Sequence, residues 1–377
     1  TDAEHLSLDS SRTSLSGYGT TLKMGKKGSG RIRFESSLTL RSPGLELNDI
    51  GYIRNADIIH HGTWMGYYIR EPFSIFRNFY LNLNYWLYWN FNQELLSKHL
   101  NMNFNNQFKN YWYLNGSLTR NFESVSTTLL RGGPSCIVPG DWSLSLNVQS
   151  DSRKKFYFYL GRWIKINDNN SNLSLSSWFG CTFRPSNAVT LSIEPEYDYY
   201  RNKLQYVDQL EIEDKDRYIF ATINQNTVYF SFRLNYTLSP NLSIQYYGQP
   251  FISAAKYSHF KEITNPRAEN FRDRFHTFTS GEIKTDREEE TYSIDEDRDG
   301  QTDYSIDFPD FNFRQFQSNL VIRWEYQPGS TLYLVWSQGR TGCITRGNFA
   351  YYRDMNDLFS IHPHNVFLLK FNRLLSL

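Results

Sequence analysis

The chain has 377 residues, long enough for one large domain or for two or three ordinary ones, so length leaves the domain count open. Its 40 basic residues face 39 acidic ones, a net charge of +1 with no long basic run, which argues against nucleic acid as a partner. A mean hydropathy of -0.58 and the absence of any apolar run of about 18 residues exclude a bundle of membrane helices, whereas a transmembrane barrel escapes that test because half of each strand faces a polar lumen.

Residues 1–14 read as a lead-in without the basic and apolar regions of a signal peptide. Apolar and polar residues then alternate over 14–24, 31–41 and 57–70, the mark of strands with two unlike faces. The clearest run is "NFYLNLNYWLYWNFNQ" (78–93), with Phe79, Leu81, Leu83, Tyr85, Leu87, Trp89 and Phe91 on one face and asparagines and aromatics on the other. Thirteen alternating residues at about 3.3 Å each span about 43 Å, well beyond the usual strand of about 5–6 residues. A tilted strand crossing an outer membrane needs about 9–11 residues and alternates apolar-out with polar-in.

Similar runs cover 100–109, 111–122, 142–149, 156–166, 173–183 and 189–200. "TVYFSFRLNYTL" (227–238) turns at "SPN" into "LSIQYYGQPFI" (242–252), and "NLVIRWEYQPGSTLYLVWSQG" (319–339) repeats that hairpin design around Pro328-Gly329. A last run covers 366–371, making roughly fifteen crossings; 351–361 suits a short loop helix. Short turns at "KKGSG", "KN", "DSRKK", "RPSN", "SPN" and "QPGS" alternate with long polar links at 43–56, 123–140, 201–224, 253–309 and 342–364. The expectation is therefore an all-β fold: a transmembrane antiparallel β-barrel of roughly 14–16 strands over 15–377, with short turns on one side, long loops on the other and a loop insertion at about 253–309. Tyr18, Trp64, Tyr111, Trp142, Trp163, Tyr199, Tyr236, Trp324 and Trp336 lie near strand ends, as interfacial girdles require.

Charges fall on the polar faces: Arg31, Arg33 and Glu35; Glu194, Glu196 and Asp198; Arg233; Arg323 and Glu325. The carboxylates at 194, 196 and 198 share a face at i, i+2 and i+4 and suit either a structural lumen network with Arg233 or a glycosidase-like pair. "DEDRDGQTD" places Asp295, Asp297, Asp299 and Asp303 around Gly300 in a spacing like that of short calcium loops, although its twelfth position is Ile306 where an EF-hand uses Glu. His60, His61, His362 and His364 lack metal-ligand spacing, and there is no G-x-S-x-G or P-loop. Three functions follow: an outer-membrane anchor or conduit, a membrane-embedded hydrolase of glycan or lipid working through Glu194, Glu196 and Asp198, and a soluble aromatic-rich carbohydrate-binding β-protein.

"RSPGLELNDIGYIRNAD" (41–57), "LRGGP" (130–134), "SDSRKK" (150–155), "RLNYTLSPNLSIQYYGQPFISA" (233–254), "DFNFRQFQSNLVIRWEYQPGSTLYLVWSQ" (310–338) and "HPHNVFLLKF" (362–371) resemble the domain-of-unknown-function 5916 family, in order and across nearly the whole chain. The resemblance implies a bacterial outer-membrane barrel in contact with lipid, linked to glycan handling at the cell surface, with a glycan or a surface protein as partner. It also implies an N-terminal domain similar to carbohydrate-binding module family nine, and further strands, ahead of the residues given. No catalytic residue carries over from it.

Overall fold

Alternation in the sequence becomes strand in the computed structural model, which describes every residue except 1, 2, 4, 7, 8, 10, 50, 54, 213, 214, 376 and 377; much of the 1–14 lead-in thus lies outside the described residues. In chain order the first strands are β1 (Gly19–Lys26), β2 (Ile32–Arg41), β3 (Ile58–Ile69), β4 (Phe76–Trp89), β5 (Leu95–Phe108), β6 (Tyr113–Asn121), β7 (Ser124–Ser126) and β8 (Cys136–Val138). They are followed by β9 (Asp141–Gln149), β10 (Phe156–Asn167), β11 (Asn172–Ser186), β12 (Val189–Ile212), β13 (Lys215–Ser239) and β14 (Leu242–Ile263). The remainder are β15 (Phe275–Thr277), β16 (Ile283–Asp286), β17 (Thr291–Ile294), β18 (Tyr304–Asp307), β19 (Phe311–Gln327), β20 (Ser330–Ile344) and β21 (His364–Asn372), with the helix α1 (Tyr351–Ser360) ahead of the last strand.

Fifteen of these strands follow one another in a single antiparallel sheet, in the order β1-β2-β3-β4-β5-β6-β9-β10-β11-β12-β13-β14-β19-β20-β21, with β15 attached beside β14. β7 pairs with β8, and β16 to β18 form a small sheet of their own. β1 and β21 stand at the two ends of the path and do not pair with each other among the described residues, so the sheet does not close on itself.

Register gives this sheet two unlike faces. One row runs Met65, Leu83, Met102, Leu118, Leu144, Ile164, Leu175 across β3 to β11, each residue directly opposite the next. On the same face, Leu191, Leu234, Tyr246, Leu320, Trp336 and Phe367 continue the pattern from β12 to β21. The neighbouring row on the other face reads Trp64, Asn84, Asn101, Thr119, Ser143, Lys165, Ser174, Tyr200, Gln225. The apolar face is open: Met65, Leu83, Met102, Leu118 and Leu144 expose 37–50% of their surface. The polar face is crowded, with Asn101, Ser174, Thr182, Ser231 and Ser253 exposing 9% or less, as on the concave side of a curled sheet.

The apolar core lies elsewhere, at the loop end. β11 pairs with β12 only as far as Asn202, and β19 with β14 only as far as Ala255, while the β12–β13 hairpin continues to Ile212 and Lys215 and β14 to Ile263. These extensions carry a hydrophobic cluster on each side, because neighbouring residues point to opposite faces. Phe220, Tyr218 and Leu204 pack with Leu130, Cys136 and Ile263. Ile219, Ala221 and Phe260 pack with Phe278 and with Ile294 and Ile306 of the small sheet.

These extensions, with the small sheet packed on them, form a cap at the loop end and correct two boundaries. Residues 201–224, expected to be a polar link, are mostly strand, and 253–263 belong to β14 and not to a loop insertion. The β12–β13 ladder shifts register at Asn202/Gln205 and again at Tyr206/Asp208, and each bulge resets the period of two by which the strand would be recognised. The helix stands where expected.

Loops from distant strands meet above the sheet. Arg267, four residues past β14, pairs with Glu94, one residue before β5. Seven strand spacings separate β5 from β14 along the path, about 34 Å in a flat sheet, so the sheet is curled. Arg274, 2% exposed, ties the same loop to the β6–β9 connection, donating to the Ile137 carbonyl and pairing with Glu123 at 3.0 Å.

Candidate functional site

The asparagines of β4 and β5 satisfy one another. Trp64 Nε1 and Tyr68 OH both donate to Asn82 Oδ1 at 2.9 Å, Asn82 donates to Asn103 at 2.9 Å, Asn103 to Asn101 at 2.8 Å, and Asn101 to Thr119 at 2.8 Å. The polar face is here a neutral hydrogen-bonded lattice that needs no counter-ions.

Glu194, Glu196 and Asp198 share this face, as their spacing requires, but the network with Arg233 does not form. Glu194 accepts from Ser231 at 3.0 Å, Glu196 accepts from Tyr229 OH at 2.5 Å, and Asp198 lies across from Thr227 with its Oδ1 buried and unpartnered. Arg233 instead lies over the Tyr247 ring at 4.7 Å. Arg323 pairs with Glu325 at 2.8 Å beside the β19–β20 turn, where Glu325 also accepts from Gly329 N at 3.0 Å, an arrangement that fixes the turn. Arg33 stacks on Tyr68 and Glu35 pairs with Lys27. These carboxylates therefore belong to different parts of the sheet, on β12, β19 and β2, and none lines a cavity described below.

The acidic loop between β17 and β18 comes together in part. Carboxylate oxygens of Asp295, Asp297 and Asp303 lie within 4.8 Å of one another. Asp295 is 5% exposed; its Oδ2 accepts from Gly300 N at 3.1 Å, while its Oδ1 is buried without a partner. Asp299 stays outside the cluster and holds Gln301 instead, accepting from its backbone N at 2.8 Å. Gly300 has a φ of 93°, the left-handed conformation that such a turn needs. Ile306, at the twelfth position, is a core residue of the cap.

Among the described residues, two of the cavities at the loop end gather charged side chains. One of about 510 Å³ is lined by His5, Asp57, Asn90, Glu94 and Arg267. The larger, about 1150 Å³, sits against the extensions of β12 to β15 and gathers Arg201, Lys203, Lys261 and Arg272 with Asn224 and Phe275. Lys261 is 3% exposed; its Nζ donates to the Lys203 carbonyl at 2.8 Å and lies 5.0 Å from the Phe275 ring. Burial, with the charge of Lys203 nearby, pushes its amine down to about 8. Arg201 Nη2 reaches Asn170 Oδ1, and its Nε is buried without a partner. Among the described ion pairs none involves Arg201, Lys203, Lys261 or Arg272. Asp273, a carboxylate in the lining, accepts from Asn270 at 3.1 Å. These residues carry no common spacing and were invisible in the sequence; the one hint was the run of charges where alternation fails.

Register fixes where this cavity stands. Ile193, Pro195, Tyr197, Tyr199 and Arg201 occupy successive apolar-face positions of β12, and Arg201 pairs directly with Asn224. Tyr197 OH donates to Asn226 at 2.8 Å and Tyr199 OH to Asn224 at 3.3 Å. The same parity corrects the aromatic set. Trp142, Trp324 and Trp336 face the apolar side, opposite Ile166, Leu332 and Leu320, whereas Trp64 and Trp163 face the polar side, opposite Asn84 and Ser176. Proximity to a strand end does not decide the face.

One family model matches the chain, DUF5916, described as a domain of unknown function, over residues 2–375. No curated protein matches it.

Proposed function

We propose that this chain, which belongs to the DUF5916 family, is a transmembrane β-barrel domain of the bacterial outer membrane, acting as an anchor or conduit in glycan handling at the cell surface. The observation that carries this reading is the exposed apolar face. A row from Met65 to Leu175 crosses β3 to β11 without a charge, on strands of 9–15 residues, while the residues between them build a hydrogen-bonded polar face. Soluble monomers rarely expose an apolar patch wider than a few hundred Å². A bilayer covers such a face, and the polar face then lines a lumen.

The loop end faces the outside in this account, and the cap formed by β12 to β18 bears the recognition surface. Asp295, Asp297 and Asp303 hold a calcium ion there, supported by the buried, unpartnered Oδ1 of Asp295. The test is behaviour in detergent. Purified protein should need detergent to remain monodisperse, and unboiled samples should migrate differently from boiled ones on a denaturing gel. A monodisperse protein in plain buffer, with the same mobility before and after heating, contradicts the barrel and supports the soluble carbohydrate-binding alternative.

A further inference from the structure

The cation-lined cavity against β12 to β15 is a site that the barrel alone does not require. Four basic side chains converge on it against a single lining carboxylate, Asp273, which accepts from Asn270 and is ion-paired with none of the four among the described residues. Lys261 has little water and one backbone carbonyl at close range, and Arg201 keeps a buried Nε without an acceptor. Buried cations are ordinarily paired, and like charges gathered in one cavity repel unless an anion sits between them. Lysine is a compact charge and arginine a planar fork, a combination suited to the several acceptor oxygens of phosphate.

Position narrows the source. Along the apolar face of β12 the order is Ile193, then Tyr197 and Tyr199, then Arg201, with Lys203 and Lys261 beyond it in the cavity. Apolar, aromatic and cationic levels follow the order of hydrocarbon, interface and headgroup in a bilayer. We propose that this cavity holds the phosphate of an anionic ligand through Arg201, Lys203, Lys261 and Arg272, and that in the membrane this phosphate is a lipid headgroup. The second half rests on the barrel reading above; the first half does not.

The test uses the full chain in zwitterionic detergent and phosphate-free buffer, titrated with pyrophosphate by calorimetry. The wild type binds, and the double variant Lys203→Gln/Arg272→Gln, which leaves the buried Lys261 and its contacts in place, weakens binding by at least about tenfold. Circular dichroism checks that the variant folds, and Lys261→Met provides an independent loss. Equal affinity of wild type and variants, or no binding by the wild type, overturns the site. In nanodiscs of phosphatidylcholine the wild type still binds pyrophosphate, and adding phosphatidic acid suppresses that binding. Unchanged binding with phosphatidic acid overturns the headgroup assignment and leaves the phosphate site. A protein that fails to enter nanodiscs, yet binds pyrophosphate through Lys203 and Arg272 in detergent, sinks the barrel reading and not this site.

Discussion

Leu83 lies at the middle of β4, between Met65 and Met102 on the apolar face, and is 37% exposed. In water, Leu83→Arg on such an exposed position changes stability by no more than about 0.5 kcal/mol. At the midplane of a bilayer the same change costs about 2–4 kcal/mol. That is a shift of roughly thirtyfold to a thousandfold in the folding equilibrium. Asn84, one residue on, faces the other way and donates to Asn101 at 2.9 Å, so Asn84→Ser removes one hydrogen bond in either setting. Its cost is about 0.5–1.5 kcal/mol, with no dependence on the lipid. The assay is equilibrium unfolding in denaturant of protein inserted into phosphatidylcholine vesicles, wild type against each variant. If Leu83→Arg in vesicles lies within about 0.5 kcal/mol of wild type, the apolar face does not contact lipid and the reasoning fails.

Calcium should raise the melting temperature of the purified protein, chelator should reverse the shift, and Asp297→Ala should abolish it; a shift that survives Asp297→Ala places the ion elsewhere. Glu282 is held by the backbone N–H and hydroxyl of Thr279 and by Arg298 and His276, which keep its carboxyl at about 2 against an ordinary 4.5. The folded value is the lower one, so its contribution to the cap is complete above about pH 4.5 and is lost as pH falls toward 2. Hydrogen exchange of β16 to β18 should therefore accelerate through that window in the wild type and less in Glu282→Gln; identical pH profiles refute the assignment. Removing the clip Arg274, which donates to three backbone carbonyls, should cost about 1.5–3 kcal/mol and expose the loop end to protease, read by limited proteolysis of Arg274→Met.

The sheet was legible wherever burial on one face forces strict alternation. β4 could be read from Phe79, Leu81, Leu83, Tyr85, Leu87 and Trp89, and only its end was overrun: Asn90 and Glu94 exchange backbone and side-chain hydrogen bonds that stop the strand before Phe91. The cap was not legible, since two bulges disturb β12 and its clusters join residues as distant as Leu130 and Ile263. Lys261 and Arg201 lie sixty residues apart, and only the β13 strand between them brings both to one cavity. Of the acidic loop, the sequence identified Asp295, Asp297 and Asp303, but spacing could not show that Asp299 would turn to Gln301. Pairing of Arg233 with Glu194 was suggested by shared parity alone, and Tyr247, directly opposite Arg233, took the guanidinium instead.

The central claim is that one face of this sheet meets lipid and the other does not, and tryptophan fluorescence tests it directly. Single-tryptophan variants retaining Trp142 or Trp324 on the apolar face, or Trp64 or Trp163 on the polar face, are to be reconstituted in vesicles containing brominated phosphatidylcholine. Strong quenching of Trp142 and Trp324 with Trp64 and Trp163 spared is the predicted result. Equal quenching of all four, or none of any, would contradict the account.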